Sequence, residues 1–244
     1  MFLKAIFREY NNVRQIPSIY LNPFFLIAAM GYRLQMNYYF YNLMEKKASK
    51  NLEYKYSFLT ETLSGIFHLS EELKTELRKL TFQKKLKKGE LLVKQGEMCD
   101  KMYFIVKGLT RGYIKKGKQD ITLWISVEKD WETAISSFFR GMPATENIQA
   151  LENTILEGLY AKDIEYLCNR FKEVNTFMRI IFQEYYLSAE ARALMCRIGN
   201  ATEKYNYFVE HRGDLINRVA LKYVASFLGM RIETLSRLRA KFRE

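Results

Sequence analysis

The side chains best equipped for chemistry lie near the C-terminus, in the run Leu221-Lys222-Tyr223-Val224-Ala225-Ser226-Phe227-Leu228-Gly229-Met230-Arg231-Ile232-Glu233-Thr234-Leu235-Ser236-Arg237-Leu238-Arg239. Its cations, Lys222, Arg231, Arg237 and Arg239, suit a polyanionic partner, and Lys241 and Arg243 continue the series. An arginine fork can grip guanine O6 and N7, and a carboxylate such as Glu233 can accept from cytosine N4. Lysine and arginine elsewhere bind phosphate, which adds affinity without sequence information. Covalent or metal chemistry has little to stand on. The only histidines are His68 and His211, too few for the histidine-rich metal site of a jelly-roll oxygenase. The three cysteines, Cys99, Cys168 and Cys196, are far apart, odd in number and never spaced C-x-x-C. That pattern argues against a disulfide framework, a structural zinc or a cysteine-held cluster. With no nucleophile–base constellation, an enzyme is not expected and no cofactor is assigned.

To present those residues, two helices must cross closely. Ala225 is small enough for the approach, and Gly229, four positions on, tolerates the positive φ of a helix-turn-helix turn. Leu235 and Leu238 fall inside the second helix with Phe242, while Val224, Leu228 and Met230 supply the other walls. The outward face then holds Glu233, Ser236 and Arg237, with Ile232 and Thr234 near the N-terminus, where a recognition helix reaches base edges. Arg231, Arg239 and Lys222 are assigned to phosphates. The alternative is an ordinary helical hairpin on whose solvated face Glu233 and Arg237 form an i,i+4 pair.

Upstream, apolar spacings of three and four through Leu59, Leu63, Ile66, Leu73, Leu77 and Leu80 predict helices from Phe58. Ser70 before Glu71 and Glu72 reads as an N-cap. From Phe82 to about Leu159 short strands take over, at 91–93, 102–106, 121–125, 147–151 and 154–159, which predicts a β-roll. Helix returns after Ala161-Lys162-Asp163. Val174, Met178, Ile181 and Tyr185, spaced four, three, four, form a coiled-coil-like seam assigned to a homodimer interface, with a buried helix of a monomer as the alternative. Gly199-Asn200 ends that helix and Thr202 opens the next. The fold class is α+β: a double-stranded β-helix (jelly-roll) sensor domain, a long dimerisation helix and a C-terminal helix-turn-helix domain. The chain ends at Glu244, so no wing is expected after the recognition helix. The divisions are 1–57, an extension; 58–170, the roll; 171–199, the dimerisation helix; and 200–244, the helix-turn-helix domain.

Composition agrees with a two-domain globular chain: 244 residues, 48% hydrophobic and 27% charged. Lys+Arg 39 against Asp+Glu 27 gives +12, which points to nucleic acid or an anionic membrane surface. Unpaired cysteines fit the reducing cytoplasm. The stretch from Ile16 to Met44 is aromatic and poorly charged. Pro17, Asn22, Pro23, Arg33, Gln35 and Asn37 interrupt it, so it lacks the ~20 apolar residues of a membrane span. It also has no convincing signal-peptide cleavage motif. Three readings stay open for it: an amphipathic segment packed on the body, a membrane-surface helix, or residues upstream of a true start at Met44. Residues 1–43 are expected to be dispensable for DNA binding.

Taken together, these pieces resemble the Crp–Fnr superfamily of bacterial transcription regulators from about Phe58 onward. The resemblance rests on Leu86-Lys87-Lys88-Gly89-Glu90, Gln95-Gly96, Tyr103-Phe104-Ile105-Val106-Lys107-Gly108, Ala161-Lys162-Asp163, Thr202-Glu203-Lys204-Tyr205 and the run from Val224 to Arg237. The last run looks like the subgroup common in Bacteroidetes-type bacteria. The Glu-Thr-x-x-Arg spacing of the family's recognition helix falls on Glu233, Thr234 and Arg237. The family's usual Arg before that Glu is Ile232 here, suited to a thymine methyl. The resemblance implies a homodimer on an inverted-repeat double-stranded DNA operator, with RNA polymerase as a further partner. The family's cyclic-nucleotide cassette runs Gly-Glu, a short helix, then Arg-Ser/Thr-Ala, its Arg holding the cyclic phosphate and its Glu the ribose hydroxyl. Here Trp131 stands where the Gly would, before Glu132, and no Arg lies within Pro143-Ala144-Thr145-Glu146-Asn147. Arg140 comes several residues early, and Glu146 would repel a phosphate. Glu132, Thr145, Glu146 and Asn147 thus outline a degenerate pocket, not expected to take cyclic AMP, whose effector is unnamed. The other reading is a small-molecule or cyclic-nucleotide sensor acting through protein or membrane-surface contacts.

Overall fold

The computed structural model describes residues 57–241. The extension before Ser57, and Phe242 and Arg243 at the other end, lie outside the described residues. Two helices come first, α1 (Phe58–Ile66) and α2 (Glu71–Leu80). Ser57 caps α1, its hydroxyl accepting from Thr60 N at 3.1 Å. The buried Glu157 carboxylate also accepts from Phe58 N at 2.9 Å and Leu59 N at 2.7 Å, satisfying donors that a helix start leaves open. Ser70 caps α2.

The strands are β1 (Phe82–Leu86), β2 (Leu91–Val93), β3 (Lys101–Lys107), β4 (Thr110–Lys116), β5 (Gln119–Ser126), β6 (Trp131–Glu132), β7 (Asn147–Ala150) and β8 (Thr154–Tyr160), with a short helix α3 (Ile135–Arg140) between β6 and β7. They form two antiparallel four-stranded sheets, ordered β1-β8-β3-β6 and β2-β7-β4-β5. Strand β3 shows why the roll holds. Tyr103 and Ile105 point between the sheets, onto Leu86, Ile148 and Leu156. Met102 and Phe104, on the alternate face, pack under the helices with Leu59, Leu73 and Leu77. A strand buried on both faces reads as a continuous apolar run, as Met102–Val106 does.

Helix α4 (Ala161–Arg170) leads into α5 (Lys172–Ile198), 27 residues or about 40 Å long. The first turns of α5 correct the assigned dimer seam. Val174 (1% exposed) and Met178 (8%) lie in the same core cluster as Leu59, Leu73 and Leu77, and Ile181 packs against it. These side chains are core residues of their own chain. Only Tyr185 of that seam is exposed. Further along α5, Phe182, Tyr186, Ala189, Ala193 and Cys196 recur at spacings of four and three, and all but the half-buried Ala189 are exposed.

The chain closes with α6 (Ala201–Arg212), α7 (Leu215–Arg218), α8 (Leu221–Phe227) and α9 (Ile232–Lys241). Helix α6 starts at Ala201 with a capping box, in which Asn200 Oδ1 accepts from Glu203 N and Glu203 Oε2 accepts from Asn200 N. These helices do not stand apart from the roll. Phe208, Leu215, Val224, Ala225, Leu228 and Leu235 share one apolar cluster with Leu109, Ile125 and Leu151 of the roll.

Candidate nucleic-acid interface

Helices α8 and α9 meet across the turn 228–231. Gly229 sits at φ 64°, in the left-handed region where any other L-residue is strained. Its N–H and that of Met230 close the turn onto Ser226 O (3.2 Å) and Ala225 O (3.0 Å). Ala225 is buried where the helices approach, Leu235 is fully buried, and Leu238 packs on the same cluster. The opposite face of α9 is open: Ile232, Glu233, Ser236 and Arg237 are exposed and Thr234 half-exposed. Arg231 is exposed just before the helix, and Lys222 is exposed on α8 with its Nζ 4.9 Å from the Tyr223 ring. Arg239 departs from its assignment to a phosphate. It is half-buried, and its Nη2 donates to Asn217 Oδ1 at 3.2 Å, so it ties α9 to α7.

The residue with the densest set of contacts was not singled out by sequence reasoning. Arg111 on β4 is 2% exposed. Its guanidinium lies between two aromatic rings, 4.0 Å from the Tyr113 centroid and 3.8 Å from that of Tyr223 on α8. Nη2 donates to Asp120 Oδ2 (2.7 Å) and Gln149 Oε1 (2.9 Å), and Nε to Gln149 Oε1 (3.0 Å). A buried cation is tolerable only when paired and hydrogen-bonded, and the planar fork between two rings meets both conditions. Beside it, Ser226 on α8 accepts from Thr122 N (2.9 Å) and donates to Asp120 O (3.1 Å). Arg218 completes the docking, donating to Glu128 (2.7 Å) and Glu152 (2.7 Å). Helix α8 is thereby fastened to the β4–β5 hairpin.

The cassette region is acidic inside. Glu132 is 2% exposed; its carboxylate accepts from Thr110 Oγ1 (2.6 Å) and Trp124 Nε1 (3.0 Å). Burial pushes its carboxyl up to about 7 despite those donors. Glu146 is buried and accepts from Thr145 Oγ1 at 2.5 Å, while the Thr145 residue is exposed. Asn147 is buried, and its Oδ1 accepts from Gln95 N at 3.0 Å. Arg140 is exposed at the end of α3. Tyr185 on α5 is 42% exposed, and the partial burial of its phenol foremost, with smaller contributions from Glu132 and Glu146, holds it above its ordinary value. Among the described residues no group of three or more His, Cys, Asp or Glu could hold a metal ion, and no helix is long and apolar enough to cross a membrane.

Residues 83–171 match the cyclic nucleotide-binding domain. No curated protein matches the sequence. Among solved structures, FixK2 from Bradyrhizobium japonicum superposes with a TM-score of 0.59 at 15% identity, over 67% of this chain and 84% of that one. A transcriptional regulator of the Crp/Fnr family from Eubacterium rectale gives 0.58 at 16% identity, over 74% and 86%. The c-di-GMP-responsive global regulator CLP from Xanthomonas campestris gives 0.56 at 10%, over 71% and 92%. The chain therefore carries a cyclic nucleotide-binding-type roll at residues 83–171 within the overall fold of the Crp/Fnr regulators.

Proposed function

We propose that this chain is a cytoplasmic, sequence-specific DNA-binding regulator of transcription that acts as a homodimer. The observation that carries the reading is the exposed face of α9, where Ile232, Glu233, Ser236 and Arg237 stand clear of the core beside a left-handed Gly229 turn. The N-terminal turns of such a helix reach base edges in the major groove. Arg237 reads a guanine, Glu233 a cytosine and Ile232 a thymine methyl, while Arg231 and Lys222 hold phosphates. The second copy meets α5 through Phe182, Tyr186, Ala189, Ala193 and Cys196, a heptad-spaced strip that the chain's own core leaves uncovered, with Tyr185 beside it. RNA polymerase contact belongs to the same reading, which is supported by the Crp/Fnr family name of the Eubacterium rectale regulator.

The roll, in this reading, does not take a cyclic nucleotide. A cyclic phosphate needs a charge-assisted partner, and the cassette offers the buried carboxylates of Glu132 and Glu146.

Selection of bound duplexes from a random pool tests the proposal. A dimer should enrich an inverted repeat whose half-sites lie about 34 Å, one helical turn, apart. Recovery of no enriched sequence would overturn the reading.

A further inference from the structure

The tip of the β4–β5 hairpin carries Lys115, Lys116 and Lys118, all exposed. The only acid in the hairpin is Asp120, and its carboxylate is taken by Arg111 at 2.7 Å. The tip therefore presents three positive charges with no local compensation from its own strands. It is also held against the helix-turn-helix. Lys115 pairs across the ladder with Asp120, whose carbonyl accepts from Ser226 on α8. Lys222, four residues before Ser226, lies on the same side of α8, and its Nζ stands over the Tyr223 ring that stacks on Arg111.

We infer that this hairpin tip is a second DNA-backbone contact, one basic strip with Lys222, gripping phosphates that flank the bases read by α9. The inference rests on the DNA-binding reading above. The ladder and the Arg111 stack hold the hairpin backbone against α8, so the three lysines are carried to the duplex together with that helix. Three lysines clustered at a hairpin tip beside α8 suit the closely spaced charges of a phosphate backbone.

The test compares two triple variants of the full chain in equilibrium binding to a selected operator and to a random duplex across salt concentrations. Lys115→Gln, Lys116→Gln and Lys118→Gln together should weaken both duplexes by the same factor, on the order of tenfold, and flatten the salt slope by about 2–3 per subunit. Lys85→Gln, Lys87→Gln and Lys88→Gln remove the same charge at the β1–β2 end. There Gly89 N bonds Ala150 O, and Ala150 pairs with Thr110, six residues from the hairpin tip. That is roughly 20 Å away along the strand and beyond the screening length of about 10 Å at 0.1 M salt, so this variant should keep the native slope. All six side chains are exposed, so neither variant should disturb folding, and unchanged melting temperatures check this. If the native protein binds DNA and the hairpin variant keeps its slope, or the control loses as much, the hairpin inference is wrong while the DNA reading stands. If the native protein binds no duplex, both fall.

Discussion

Replacing Arg111 by methionine should lower the stability of the protein by ~2–4 kcal/mol, seen as a reduced urea midpoint at unchanged slope. Removing one partner of a buried charge pair typically costs about 3–5 kcal/mol. The Asp120 side chain is 38% exposed, so water recovers part of that cost. Against this, the two rings at 3.8 and 4.0 Å lose their cation, and Gln149 Oε1 loses both of its Arg111 donors. Arg111→Lys should rescue little, because an ammonium cannot fill a planar slot between two tyrosines while bonding two acceptors. A methionine variant with the native midpoint would show that the stack is incidental to folding.

The second large effect concerns pH. Glu132 has a folded-state value raised to about 7 from 4.5, by burial. Between those values the folded chain binds a proton that the unfolded chain releases. Its contribution to stability is therefore fully present below about pH 4.5 and is lost as pH rises toward 7 and beyond. Glu132→Gln keeps the side chain neutral at every pH and keeps one oxygen to accept from Thr110 or Trp124. The variant should remove a fall in stability on the order of 3 kcal/mol between pH 5 and pH 8. Chemical denaturation at several pH values reads this directly. Parallel profiles for the native and variant proteins would mean that Glu132 is ionised in the fold.

What could be read in the sequence was what depends on neighbours along the chain. Met102–Val106 is an apolar run bounded by charge, and it becomes β3, buried on both faces. The demands on Ala225 and Gly229 are likewise local, one a close approach and the other a left-handed backbone. Strand β4 was illegible for the opposite reason. Thr110-Arg111-Gly112 followed by Lys115-Lys116-Gly117-Lys118 lacks strand composition. Yet Arg111 is buried by Tyr223, which is 112 positions away, and a Cβ on Gly112 would come within 2.1 Å of the Trp124 ring, which needs that space. Strand β6, two residues long, is too short to show a period. On α5 the periodicity marked an apolar face correctly but could not say what fills it. Val174 and Met178 are covered by helices of the same chain, whose arrival depends on the whole fold.

Whether the outward face of α9 reads bases turns on Arg237, which is exposed on that face. Binding of Arg237→Ala should be measured on the selected operator and on a random duplex at one salt concentration. A base-reading Arg237 should give a loss of ~1–3 kcal/mol per half-site on the operator, with preference relaxed at one symmetric base pair and random-duplex affinity changed far less. Equal losses on both duplexes would make Arg237 a phosphate contact or a partner of Glu233 and would rule out base reading by this residue.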